Sequence, residues 1–139
     1  MLPRMIPTPP AIVFRVTPLW VPKFLDAIAQ VESENDWKKI GAKGERTIWQ
    51  FKRATWNQHA RGVPFELSAE PQFRSYAEKV AREHVAWLIL KLTERNLTIT
   101  PERLATCWRF GLSGGIKLIL ADKIPDSSQR VRNLYDLNS

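Results

Sequence analysis

The segment AIAQVES, residues 27–33, places one acidic side chain at the end of an apolar run. Upstream of it, Phe24 and Leu25 continue the same three- and four-residue spacing of apolar side chains. This period is typical of a helix with one buried face, and Pro22 is acceptable in its first turn. The sequence therefore predicts a helix that begins near Pro22 and carries Glu32 at its C-terminal end.

The residues after this helix supply a loop and an amide. GAKG (41–44) is a polar, glycine-bearing loop, and IWQF (48–51) sets Gln50 between two aromatic residues. An acid at the end of an apolar helix, with an amide and aromatic rings close to it, suits a sugar-binding cleft, because ring faces stack on the C–H faces of sugars. Glu32 is the first candidate for catalysis.

The rest of the chain also has a helical pattern. Apolar spacing, prolines and capping residues predict a helix at about 52–60, a long central helix of about 20 residues over 73–92, a helix capped by Thr100 that ends at Gly111, another from about 113, and a last helix opened by Asp126 in a loosened capping box. We predict a mainly α, single compact domain over residues 17–139. Prolines 3, 7, 9 and 10 predict an extended N-terminal arm over residues 1–16.

Composition limits the function classes. The 139 residues are 44% hydrophobic, which suits one folded domain. Cys107 is the single cysteine, so we expect neither an intrachain disulfide nor a metal site, and we expect no cofactor. No apolar run approaches about 18 residues, so we expect no membrane span. The net charge of +7 is dispersed and accompanies no DNA-binding motif; we therefore expect no nucleic-acid partner, although a small helical DNA binder is one alternative.

Three short motifs follow one another along the chain: Glu32–Ser33 at the helix end, TIWQ at 47–50, and CWRFG at 107–111. Their order resembles the lysozyme-like domains of soluble lytic transglycosylases and goose-type lysozymes, which carry Glu-Ser, Gly-Leu-Met-Gln and Ala-Tyr-Asn-x-Gly. The resemblance covers roughly residues 24–135. It implies an α-helical lysozyme-like fold and cleavage of peptidoglycan between N-acetylmuramic acid and N-acetylglucosamine.

The resemblance also implies roles for individual residues. Glu32 is the catalytic acid and base, and Gln50 bonds the substrate's N-acetyl group or positions Glu32. The other implied substrate-binding residues are Ser33, Trp49, Trp108, Arg109 and Tyr135. Three positions depart from the family pattern: Thr47 stands where the family has a glycine, Trp108 where it has a tyrosine, and Arg109 where it has an asparagine. Arg109 is either a ligand for a substrate carboxylate or a surface residue.

Two mechanisms remain open at this stage. Most glycosidases use two carboxylates, for which Glu34, Asp36 and Glu45 are possible partners of Glu32. The resemblance favours a single acid assisted by the substrate's acetamido group, with either a 1,6-anhydro sugar or a reducing end as product.

We expect a monomer that acts on peptidoglycan strands at the bacterial cell wall, whether periplasmic, extracellular or on a virion. The first ten residues lack the apolar core of a secretory signal, so the export route is open.

A second class of function is a non-catalytic wall-binding or structural module of a virion or secretion apparatus, which Arg109 favours.

The remaining aromatic and polar residues have simpler interpretations. Trp20, Trp56 and Trp87 lie at apolar helical positions and are predicted core residues. For Trp49 and Trp108, a position in the cleft and a position in the core are equally consistent with the sequence. We predict His59 and His84 to be ordinary surface or helix residues and Cys107 to be a small buried hydrophobe.

Overall fold

The computed structural model describes residues 18–137, and this part of the chain is mainly helical, as predicted. Five α-helices follow one another, with two short 3₁₀ turns, Phe65–Leu67 and Pro71–Phe73, between the second and third. We label the α-helices in chain order: α1 Trp20–Ser33, α2 Arg53–His59, α3 Arg74–Glu94, α4 Pro101–Leu120 and α5 Asp126–Leu137. The predicted arm over residues 1–16 lies outside the described residues.

Helix α1 begins two residues before the predicted start at Pro22 and ends at Ser33, so Glu32 lies in its last turn, as predicted. Its apolar face is almost entirely buried, with Phe24 and Ile28 among the most deeply buried side chains of the protein. Glu34 and Asn35 then adopt left-handed backbone conformations with φ of 54° and 61°. These two residues turn the chain away from the helix axis and start the loop that leads to α2.

Helix α3 is the central helix of the core. It spans 21 residues, and its buried side chains include Val80, Val85, Leu88 and Leu92. It contacts α1, α2 and α4, while α5 packs against α1 and α4. The predicted long helix is therefore confirmed, although the 3₁₀ turn Pro71–Phe73 precedes it.

Helix α4 has the predicted cap and the predicted break. The Thr100 hydroxyl accepts a hydrogen bond from the Arg103 N–H at 3.2 Å, and Pro101 occupies the first turn. Gly111 has φ 80° and ψ 167°, outside the helical region, so the helix is kinked there. After the kink, the backbone at Gly115 lies directly against Cys107.

The start of α5 differs in detail from the predicted capping box. Asp126 lies inside the first turn of the helix rather than at its cap, and the Pro125 carbonyl accepts from the N–H groups of Ser128 and Gln129. The Ser128 hydroxyl is buried and lies 2.9 Å from the Thr106 hydroxyl of α4. The side chain at 128 therefore joins α4 and α5.

Two neighbouring glycines of α4 provide a matched test of this packing. A Cβ at Gly115 would lie 2.7 Å from both Cα and Sγ of Cys107, whereas a Cβ at Gly114 would lie 3.6 Å from the nearest atom, in Phe110. We expect Gly115→Ala to lower the free energy of unfolding by about 1–3 kcal/mol through overpacking. Gly114→Ala should leave it unchanged or raise it by up to about 1 kcal/mol. Denaturant unfolding measures both, and equal stability of the two variants would contradict the close contact.

Candidate functional site

The Glu32 side chain is 13% exposed, although it lies at the end of a helix. Burial is the largest influence on this carboxyl and raises its pKa above the ordinary 4.5. Glu45 acts in the same direction, while the positive charges of Arg109, Lys39 and Arg130 act against it. A carboxyl in such surroundings holds its proton at a higher pH than a solvated one.

Two residues of the predicted site fix the position of α1 rather than line a cleft. The buried Ser33 hydroxyl lies 3.0 Å from the Ala29 carbonyl and 2.7 Å from the Ile48 carbonyl. The indole N–H of the buried Trp49 donates to the Leu25 carbonyl at 3.0 Å. Residues 48 and 49 are thereby tied to the last two turns of the helix, and the structure places neither Ser33 nor Trp49 among the residues that line the cleft described below.

Gln50 lies on the opposite side of this loop and faces the cleft. Its side-chain amide donates to the carbonyls of Lys39 at 3.1 Å and Thr47 at 2.9 Å. Its oxygen lies so close to Gly41 that a Cβ there would come within 2.7 Å of it. Gln50 therefore braces the loop that borders Glu32, and Gly41 leaves the room for it.

Thr47 occupies the position at which the resemblance implies a glycine. Its φ is 72°, in the left-handed region that glycine adopts most easily, and its side chain is completely buried. Its hydroxyl accepts a hydrogen bond from the Trp49 N–H at 3.2 Å. The backbone of this turn thus has the conformation of a glycine position, while the threonine side chain supplies a buried hydrogen bond.

A cleft of about 300 Å³ opens beside Glu32. Three parts of the chain that are distant in sequence border it: residues 32–58, from the end of α1 through the loop to α2, one side of α3, and the facing side of α4. The lining residues are Glu32, Lys39, Gly41, Ala42, Glu45, Gln50, Phe51, Lys52, Thr55, Gln58, His84, Trp87, Cys107, Trp108, Arg109, Gly111 and Leu112. The structure therefore brings together Glu32, Gln50, Trp108 and Arg109 of the predicted site.

Aromatic rings form one wall of the cleft. The Trp108 ring lies 5.6 Å from the Phe51 ring, centroid to centroid, and its indole N–H donates to the Trp49 carbonyl at 2.9 Å. Trp87 is half-buried: it packs against the core, and it also lines the cleft from the side of α3 that faces the opening. Trp56 is fully buried, as predicted.

Arg109 is the charged residue that meets Glu32 in the cleft. Its Nη1 lies 3.5 Å from Oε2 of Glu32, and its side chain is 47% exposed. Lys39 and Lys52 lie on the same border: the Lys39 ammonium donates to the Glu32 carbonyl at 2.9 Å, and the Lys52 ammonium to the Arg109 carbonyl at 3.4 Å. The carboxylates in the lining are Glu32 and Glu45, so the cleft carries an excess of positive charge.

The possible second carboxylates differ in position. Glu45 lines the cleft, and its carboxylate accepts a hydrogen bond from the Lys43 N–H at 2.8 Å. Glu34 and Asp36 are exposed and do not line it. Tyr135 of α5, the last predicted site residue, is also not among the lining residues, and the Lys23 ammonium lies 4.5 Å from the centre of its ring.

A histidine pair that the sequence did not predict lies at the cleft, where His84 is one of the lining residues. His84 is a residue of helix α3, but it is only 6% exposed, so its prediction as a surface residue is wrong. Its Nδ1 lies 2.9 Å from Nε2 of His59, and its ring contacts those of Trp87 and Trp108. Burial, with a smaller contribution from His59, lowers the pKa of His84 to about 3. The sequence does hold one sign of this burial: His84 lies four residues from both Val80 and Leu88, so it shares a helix face with two apolar side chains.

Comparisons of the chain with protein-family models, curated proteins and solved structures find no match. Over residues 18–137, no helix is both long and apolar enough to cross a bilayer, and no group of three or more potential metal-ligating histidine, cysteine or acidic residues occurs. Cys107 is buried, as predicted, and burial raises the pKa of its thiol to about 11.

The buried imidazole predicts a pH-dependent stability. The pKa of His84 is about 3 when folded and near the ordinary 6.5 when unfolded, so the unfolded state binds the extra proton between these values. We expect this residue to reduce stability as the pH falls below 6.5, by up to about 1.4 kcal/mol per pH unit. Denaturant unfolding at pH 7 and pH 5 should show a larger loss for the wild type than for His84→Gln. The same loss in both proteins would rule out a neutral buried His84.

Proposed function

We propose that this protein cleaves the β-1,4 bond between N-acetylmuramic acid and N-acetylglucosamine in peptidoglycan, with Glu32 as the single acid and base. The observation that carries the proposal is that residues from three separate motifs line one cleft. These residues are Glu32, Gln50, and the pair Trp108 and Arg109. The order of these motifs resembles that of lytic transglycosylases and goose-type lysozymes, and their meeting at one site supports that relationship.

The surroundings of Glu32 suit the first chemical step. Glycoside cleavage needs a carboxylic acid that still holds its proton near neutral pH, and burial moves the pKa of this carboxyl in that direction. In the aromatic wall, the half-buried Trp108 and Trp87 offer apolar faces for pyranose rings, and the buried Phe51 packs against Trp108. The left-handed backbone at Thr47 further supports the family relationship, since the family has a glycine there.

The mechanism is the one that the resemblance implies for these residues. Glu32 gives its proton to the bridging oxygen, the C1–O bond breaks, and the oxygen leaves as the hydroxyl of N-acetylglucosamine. The acetamido group of the muramoyl residue stabilises the positive charge that develops at C1. Glu32, now a carboxylate, accepts a proton either from the muramoyl 6-hydroxyl, which closes a 1,6-anhydro ring, or from water, which leaves a reducing end. Gln50 holds the loop beside the acid through its two N–H groups and offers its side-chain oxygen to the substrate.

Partner and location follow from this proposal. The substrate is the glycan strand of the bacterial wall, so the protein acts there, in a periplasmic, extracellular or virion-associated setting. The excess of positive charge along the cleft suits an anionic polymer. No cofactor takes part in the proposed steps.

A pair of variants tests the role of Glu32. Glu32→Gln keeps the shape of the side chain but has no proton to donate, so we expect release of soluble fragments from purified peptidoglycan to fall at least about 100-fold. Glu34→Gln makes the same chemical change at an exposed neighbour and should retain activity. Circular dichroism and thermal unfolding establish that both variants are folded. Turnover near the wild-type rate in folded Glu32→Gln would refute the assignment.

One contact favours a second candidate function, a wall-binding module without turnover. The cation of Arg109 lies against the acid where the family has a neutral asparagine, and it opposes protonation of Glu32. Sedimentation of the protein with insoluble peptidoglycan, without release of fragments by wild type or Glu32→Gln, would identify this function.

A further inference from the structure

The contact between Arg109 and Glu32 is poorly made for a permanent ion pair. It consists of one approach at 3.5 Å, from Nη1 to Oε2, whereas an arginine that clamps a carboxylate uses two parallel N–H···O bonds at shorter distance. The guanidinium carries five N–H donors, and nearly half of the side chain is exposed. Most of its capacity to bind an anion is therefore unused at Glu32.

Neighbouring cations are engaged with backbone groups, which distinguishes them from Arg109. The Lys39 ammonium donates to the Glu32 carbonyl and the Lys52 ammonium donates to the Arg109 carbonyl. The Lys52 contact also ties the backbone at position 109 to the approach to α2. Arg109 stands two residues before the kink at Gly111, at the mouth of the cleft, where its side chain can turn from the acid to an incoming ligand.

We propose that Arg109 is the carboxylate-binding residue of the cleft, and that it exchanges Glu32 for a carboxylate carried by the muramoyl residue of the substrate. This inference rests on the proposed function. The carboxylate belongs either to the lactyl group, where no peptide is attached, or to the stem peptide. A planar guanidinium at the rim selects such a group over the uncharged face of a chitin-like sugar.

The exchange prepares the acid for its first step. Glu32 is faced by Arg109 from α4, Lys39 and Glu45 from the loop, and Arg130 from α5. Arg109 has the largest effect of these charged groups, and it lowers the pKa of Glu32. When the substrate carboxylate draws Arg109 away, Glu32 keeps its burial, loses its nearest cation and takes a proton from solvent. A carboxylated substrate therefore raises the protonated fraction of the acid when it binds.

Ligands that cannot be cut make the test independent of turnover. The disaccharide N-acetylglucosaminyl-N-acetylmuramic acid lacks the bond that is cleaved. We use it with a free lactyl carboxylate, as the lactyl methylamide, and with a stem peptide whose carboxylates are free. We expect the wild type to bind at least one carboxylated form about tenfold more tightly than the methylamide, by calorimetry. The form that is preferred identifies the source of the carboxylate.

Two variants locate the preference. Arg109→Gln should bind all three disaccharides equally, whereas Arg130→Gln, which removes another positive charge that acts on Glu32, should keep the wild-type preference. In a ¹³C NMR titration, the preferred disaccharide should raise the pKa of the Glu32 carboxyl in the wild type, and the rise should be absent in Arg109→Gln. Equal binding of all three forms by the wild type, or a preference that survives in Arg109→Gln, would overturn the inference.

These results are separable from the test of cleavage. Arg109-dependent binding without any release of fragments from peptidoglycan would reject the proposed cleavage and keep the carboxylate site. If cleavage depends on Glu32 but disaccharide binding does not depend on Arg109, the carboxylate site is rejected and the proposed cleavage stands.

Discussion

The buried end of α1 is the constraint on which the rest of the site depends. Helix ends are normally solvated, and a glutamate in the last turn would ordinarily titrate like any surface carboxyl. Here the loop after the helix folds back over it, held by the Trp49 indole at the Leu25 carbonyl and by the Ser33 hydroxyl at the Ile48 carbonyl. These two hydrogen bonds convert an exposed terminus into one wall of a cleft. The protonation behaviour of Glu32 follows from that enclosure.

The same loop links the helices into one site. The Trp49 carbonyl accepts from the Trp108 indole of α4, and Arg46 and Phe51 pair across the loop through two backbone hydrogen bonds of 3.0 and 2.8 Å. The loop also holds left-handed conformations at Thr47 and Gln50, each of which costs on the order of 1–3 kcal/mol for a residue other than glycine. The surrounding aromatic packing offsets this cost and holds both conformations where the loop borders the acid.

The sequence predicted what depends on local pattern. The apolar spacing around Ile28 and Val80, the cap at Thr100 and the break at Gly111 each express a rule that acts within a few residues, and the structure agrees at all four. Gln50 was predicted from its aromatic neighbours and from the order of motifs, Arg109 from the order of motifs alone, and both line the cleft. Position in the chain was sufficient for these residues because each belongs to a segment that the fold brings to the acid.

Long-range packing explains what the sequence did not predict. His84 occupies a helix face with Val80 and Leu88, but its burial results from the rings of Trp87 and Trp108, and the latter lies 24 residues away. Ser33 and Trp49 stand inside the motifs, and the resemblance implies that they bind substrate. In the structure neither lines the cleft, and both make hydrogen bonds to backbone carbonyls of other segments. No local pattern separates a side chain that supports a site from one that lines it.

The most direct test of the account is digestion of purified peptidoglycan by the wild-type protein in water enriched in ¹⁸O, followed by mass spectrometry of the soluble fragments. The account predicts fragments that end at the muramoyl residue, either as 1,6-anhydro sugars without ¹⁸O or as reducing ends that carry one ¹⁸O. Either product establishes cleavage of the proposed bond, and the label distinguishes the two fates of the intermediate. An absence of fragments, under conditions in which a known muralytic enzyme digests the same preparation, would contradict the account.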